Sequence, residues 1–94
     1  MSLPPTAPRS MAKYQILSWQ EIPSQVKAWD DFDECRLELD PRFAALIDQA
    51  AQARGLTQND AYLNQWKWSE EAERAGSPEE VAQAIKRELE LKAD

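Results

Sequence analysis

The 94-residue sequence contains no histidine, a single cysteine and only two glycines. Without histidine the chain lacks the commonest general base and metal ligand, and Cys35 alone cannot form an internal disulfide. Gly55 and Gly76 lie far apart, so there is no glycine-rich phosphate loop. No apolar run approaches the roughly 20 residues of a membrane span, and the N-terminal segment lacks a signal-peptide core. We expect no catalytic residues, no metal or cofactor, and a cytoplasmic location.

The charge balance argues against another group of partners. The net charge is −6 and the isoelectric point is about 4.6, so the chain repels phosphate backbones and anionic membrane surfaces. Neither nucleic acid nor membrane is an expected partner. Hydrophobic residues at 43% and charged residues at 30% are ordinary for a folded domain. A chain of this length has room for one thin core, and any function is expected in a shallow cleft or at an interface.

Two parts of the chain differ in composition. Residues 1–12 contain three prolines and few side chains that could anchor a core, which predicts a disordered leader. Residues 13–94 are predicted to form a single domain.

Alternating side chains predict three strands in the first half of that domain. The period of two begins at Lys13 and ends before residues 21–24, where a proline indicates a turn or bulge. Residues 25–29 alternate again, and 35–39 form the third strand after the acidic turn 30–34. The second and third strands are predicted to form a hairpin.

Helix signals dominate the second half. Asp40 as an N-cap, a proline at the first helical position and Gly55 at the end predict a helix. Its predicted apolar stripe consists of Phe43, Leu46, Ile47 and Ala50. Thr57 and Asp60 are spaced as in a capping box, so residues 58–65 are interpreted as a short helix, although helix and strand both stay open for 58–66. A strand is predicted over about 65–71. The serine, proline and glutamate of a capping box open a terminal helix over about 77–91.

The predicted order is strand, strand, strand, helix, short helix, strand, helix. It defines an α+β fold with a small antiparallel sheet of three to four strands and two main helices packed on one face.

The acidic turn 30–34 is a candidate metal site and Cys35 is a candidate nucleophile, but both have simpler explanations. The acidic turn 30–34 lacks the glycine of a calcium-binding EF-hand loop and is interrupted by Phe32, so a solvated turn is expected. Cys35 has no histidine to lower its thiol pKa, so packing is its expected role.

The four tryptophans are the most informative residues. Trp29 and Trp68 lie among more polar neighbours and are expected to be partly exposed. Ser24 and Gln25 are expected mainly to satisfy backbone groups at the proline corner, with partner contact as the second interpretation. The candidate partner-binding residues are Trp29, Trp68, Tyr62, Ser24 and Gln25.

Several short segments together resemble a known family. They are Trp19, Ile22-Pro23-Ser24-Gln25-Val26, Ala28, Arg42-Phe43, Ile47-Asp48, Gly55-Leu56, Asp60-Ala61-Tyr62-Leu63 and Trp66. Over about residues 13–91 the chain resembles the small bacterial domain family labelled "virulence factor", which also occurs within conserved virulence factor C-type proteins. The family supplies no catalytic residues, and because Trp19 and Trp66 match its pattern, the resemblance implies structural roles for both. The acidic turn 30–34 departs from the basic or glycine-containing turns of many members.

The resemblance implies a metabolic context. Larger relatives combine such a domain with HEAT-type helical repeats and a region resembling an iron–sulfur scaffold domain, and stand-alone members look like neighbours of methyl-transfer enzymes. Our main hypothesis is therefore a non-enzymatic accessory domain that binds another protein in one-carbon or iron–sulfur metabolism. The alternative is a small-molecule-binding module with a Trp-lined cleft, and a homo-oligomer stays open.

Overall fold

The computed structural model describes residues 11–92, which form an α+β fold, as predicted. The elements are β1 (Met11–Trp19), β2 (Ile22–Trp29), β3 (Glu34–Glu38), α1 (Pro41–Ala53), α2 (Asn59–Leu63), β4 (Trp66–Trp68), β5 (Ala72–Ala75) and α3 (Pro78–Lys92). The expected leader falls mostly on residues 1–10, which lie outside the described residues. Its last two residues belong to β1, where Ala12 is fully buried and pairs with Arg74 of β5.

The sheet is antiparallel and its central strand is β1. Strands β3 and β2 lie on one side of β1, while β4 and β5 follow one another along its other side. The strand predicted over about 65–71 is present as β4 but is shorter, because pairing stops at Ser69, whose hydroxyl oxygen accepts the backbone N–H of Ile16 at 2.8 Å. Strand β5 was missed because alanine and glutamate rarely favour strands, and here pairing with β1 decides the structure.

The turn between β1 and β2 lies earlier than predicted. Gln20, with a φ of 54°, and Glu21 form it, and β2 begins directly at Ile22. The predicted bulge is confirmed: the register jumps between Leu17 and Ser18 of β1, which face Gln25 and Pro23 of β2. The proline is tolerated inside the strand because β3 pairs with β2 only as far as Gln25.

Both ends of α1 are formed by the predicted residues. The Asp40 side chain accepts the backbone N–H of Arg42 at 3.0 Å. At the other end Gly55 has a φ of 69°, and the N–H of Leu56 donates to the carbonyl of Ala51 at 2.8 Å. This pattern is a Schellman motif, which satisfies carbonyls that the helix leaves unpaired.

The other two helices begin differently. Gln58 precedes α2 without a side-chain cap, so the capping by Thr57 suggested by the sequence is absent. Before α3 the capping box forms as predicted: the backbone N–H of Ser77 donates to the Glu80 carboxylate at 3.0 Å, and the Glu80 N–H donates to the Ser77 hydroxyl at 3.1 Å.

Helices α1 and α3 pack on the same face of the sheet and create two adjoining core clusters. The first joins β1, β2 and α3 through Ala12, Val26, Ala28, Leu39, Phe43, Val81, Ala82 and Ile85. The second surrounds Trp19, Ile47 and Ala51. The predicted stripe of α1 was partly wrong, because Leu46 is 41% exposed and Ala51 takes the buried position instead.

A bidentate ion pair connects the β1–β2 turn to the end of α1. The Arg54 guanidinium donates to both Glu21 carboxylate oxygens, at 3.0 and 2.8 Å, and also to the side chain of Gln20. These hydrogen bonds lower the pKa of Glu21 from its ordinary 4.5 to about 2.

We predict that Arg54→Gln raises the pKa of Glu21 from about 2 toward 4.5, because the hydrogen bonds that favour the carboxylate are removed. The stabilisation from this pair is complete above pH 4.5 and is lost as the pH falls toward 2, since a lowered pKa favours folding only while the carboxyl is ionised. Carbon-detected NMR titration of Glu21 measures the shift. Arg87→Gln on α3 is the control, and an unchanged Glu21 pKa in Arg54→Gln would contradict the assignment.

Substitution of Gly55 measures the contribution of the left-handed residue at the end of α1 without a steric clash. A Cβ at this position would meet no atom within 4 Å, so Gly55→Ala carries only the cost of the left-handed backbone. We expect the free energy of unfolding to fall by about 1 kcal/mol. Gly55→Asn should cost less, because asparagine tolerates this conformation. Denaturant unfolding of both variants gives the comparison, and equal stability of Gly55→Ala and the unmodified chain would contradict the prediction.

Candidate functional site

One face of the sheet carries no helix within residues 11–92. Helices α1 and α3 cover the side with Ala12, Val26 and Ala28, so alternation places the intervening residues on the opposite side. This alternation ends at the bulge after Leu17, beyond which Trp19 and its strand partner Trp66 pack in the second core cluster. We call that side the open face. Its residues are Lys13, Gln15, Leu17, Gln25, Lys27, Trp29, Glu34, Arg36, Glu38, Trp68 and Glu73.

Two of the predicted partner-binding residues meet at the centre of the open face. The Nζ atom of Lys27 lies 5.2 Å from the ring centroid of Trp29 and 4.8 Å from that of Trp68. These distances are typical of cation–π contacts. Trp29 is half-buried and Trp68 is 39% exposed, so both rings present part of their surface to solvent. Lys27 was not a predicted site residue, although its position two residues before Trp29 in a strand puts both on one face.

The other aromatic residues form a separate group around the second core cluster. Trp19 is fully buried, as expected, and its indole N–H donates to the backbone carbonyl of Tyr62 at 3.0 Å. The Tyr62 ring lies between Trp19, at 5.7 Å, and Trp66, at 6.1 Å. The structure therefore places Tyr62 with the structural tryptophans and does not bring it together with Trp29 and Trp68.

The remaining predicted residues flank the bulge in β2. The Ser24 carbonyl accepts the backbone N–H of Leu39 at 2.9 Å, which connects β2 to the start of α1. Gln25 pairs with Leu17 and Glu38 and belongs to the open face. Of the two, Gln25 is thus the one positioned beside the tryptophans.

A surface cavity of about 290 Å³ lies next to Trp29, where the acidic turn meets the beginning of β1 and the middle of β5. We call it the turn cavity. Within the turn, Asp30 Oδ1 accepts the backbone N–H groups of Phe32 and Asp33, both at 2.8 Å. This geometry carries the Phe32 side chain outward, where 89% of it is exposed.

The potentially reactive side chains of the described residues show few features of a nucleophile or a metal site. Burial, together with the nearby Glu79 carboxylate, raises the pKa of the Cys35 thiol, so the thiolate is disfavoured. The Arg36 side chain donates to Glu34 at 2.6 Å and holds the pKa of that carboxyl below its usual value. No three potential metal ligands come together between residues 11 and 92. None of the helices in that range is long and apolar enough to cross a bilayer.

Comparison with known proteins identifies the class to which this chain belongs. A model of the family described as "Virulence factor" matches residues 17–94, which include the helices α1, α2 and α3, the strands β2 to β5 and the end of β1. The chain is a member of the virulence factor domain family, as its segments suggested. Curated proteins and solved structures give no match.

Lys27→Met removes the ammonium group between the two tryptophans and keeps an unbranched apolar stem. We expect the free energy of unfolding to fall by about 0.5–1 kcal/mol, the usual value of a cation–π contact at an exposed site. Lys67→Met removes the same charge from β4 and serves as the control. Chemical denaturation measures both, and equal losses in the two variants would show that the tryptophans gain nothing from Lys27.

Proposed function

We propose that this chain is a non-enzymatic interaction domain that binds another protein through its open face. The observation that carries the proposal is the group of Trp29, Lys27 and Trp68 on a sheet face that no helix of residues 11–92 covers. Tryptophan is enriched among the residues that dominate binding energy at interfaces. Lys27 holds both rings in place before a partner arrives, so little side-chain entropy is lost on binding.

The surroundings of these rings suit a protein partner. Charged residues of both signs border them, including the Arg36–Glu34 pair and the Lys13 ammonium, which lies 3.9 Å from a Glu71 carboxylate oxygen. An apolar centre with a polar rim is the usual composition of a protein–protein interface. The family resemblance supports a cytoplasmic partner from one-carbon or iron–sulfur metabolism, which is an argument by analogy.

Photo-crosslinking tests the proposal directly. A photoreactive amino acid at Gln25 lies on the open face, whereas the same group at the exposed Gln83 of α3 lies outside that face. We expect an adduct with a distinct protein from the Gln25 probe only. Trp68→Ala should reduce that adduct about tenfold, as expected for an interface anchor, and the exposed Leu63→Ala on α2 should not.

Three results would contradict the proposal. They are equal adducts from both probes, an adduct unaffected by Trp68→Ala, and an adduct that contains only a second copy of this chain. Circular dichroism of each variant confirms that the fold is retained before the yields are compared.

A further inference from the structure

The turn cavity combines apolar walls with a rim that is rich in carboxylates. Its walls are the Trp29 ring at the end of β2, the Phe32 ring at the tip of the acidic turn, and Met11, which is 51% exposed. Three apolar side chains therefore share one concave surface, and the Phe32 ring is almost fully exposed to water. Such a contiguous exposed surface is typical of a place that a ligand covers.

The rim of the turn cavity is negatively charged. Asp30, Asp31 and Glu73 contribute three carboxylates, against the single ammonium of Lys13. Within residues 11–92 the side chains of Asp31 and Glu73 make no hydrogen bond or ion pair. The whole chain adds to this field with a net charge of −6. A cationic group is thus attracted both at long range and within the cavity.

We propose that the turn cavity receives an arginine side chain from a basic segment of the partner protein. An arginine has an apolar stem for Met11 and a planar guanidinium that stacks on aromatic rings and pairs with carboxylates. The rings of Trp29 and Phe32 and the carboxylate of Asp31 supply all of these contacts. The inference rests on the proposed function, since it names the chemistry of the partner that the open face binds.

The size of the turn cavity favours a single side chain over a free metabolite. Ligand pockets usually enclose roughly 300–1,000 Å³. At about 290 Å³ and open to solvent, this cavity is at the lower end of that range. A side chain that enters from a partner resting on the open face needs no larger enclosure, because the partner itself covers the opening.

NMR titration of the full 94-residue chain tests the inference with a defined probe. The probe is a capped pentapeptide with one arginine between two glycines on each side, and matched peptides carry lysine or glutamate instead. We expect the arginine peptide to shift the Trp29 indole and Phe32 amide signals more strongly than signals of α3. The lysine peptide should bind more weakly, and the glutamate peptide should not bind.

Substitutions in the turn cavity distinguish specific binding of arginine from general electrostatic attraction to an acidic protein. Phe32→Ala and Asp31→Asn should each weaken arginine binding about two- to fivefold, consistent with single exposed cation–π and ion-pair contacts. The controls are Leu63→Ala and Asp60→Asn, which remove an exposed apolar side chain and an exposed charge on α2. Both controls should leave binding unchanged.

The outcomes distinguish this inference from the proposed function. Equal weakening by Asp31→Asn and Asp60→Asn, shifts spread over α3, or equal binding of the lysine peptide would each overturn the arginine assignment. Trp68→Ala should leave peptide binding intact, because Trp68 lies outside the turn cavity. If the crosslink from Gln25 depends on Trp68 while the peptide does not bind, the interaction domain stands and the arginine inference fails.

Discussion

The central strand β1 pairs with three other strands, and the rest of the fold follows from this requirement. Its backbone pairs with β2 along almost its whole length and with β4 and β5 on the opposite side. One side of the resulting sheet is covered by α1 and α3, which use most of the large apolar side chains in the two core clusters. A domain of this length has little apolar material left for a third layer. The open face is therefore a consequence of chain length as well as of sequence.

Features encoded by a few neighbouring residues could be predicted from the sequence. Asp40 and Gly55 delimit α1, and the Ser77–Glu80 capping box opens α3, because each depends on backbone geometry within one turn. The burial of Trp19 and the greater exposure of Trp29 followed from the polarity of their strand neighbours. These local signals were sufficient for the α+β class and the one-sided packing of the helices.

Features that depend on pairing between distant segments could not be predicted. Strand β5 has a composition that favours no strand, and only the unpaired N-terminal half of β1 makes it one. Tyr62 looked like a surface aromatic residue. Its backbone carbonyl instead accepts the indole N–H of Trp19, which is 43 positions away in the sequence. The contact of Lys27 with Trp68 requires the register of three strands, which no local pattern contains.

Under the proposed function, the arrangement of charge on the open face favours one orientation of the bound protein over the reverse. Lys27 places a cation between Trp29 and Trp68, while the turn cavity beside Trp29 has an excess of carboxylates. A partner that brings an acidic or aromatic group to Lys27 must bring its basic group to the turn, and reversing it sets like charges against each other. Such juxtapositions determine specificity more than affinity. The Trp29 ring contacts Lys27 and also lines the turn cavity, so it belongs both to the tryptophan pair that would anchor a partner and to the cavity that would orient it.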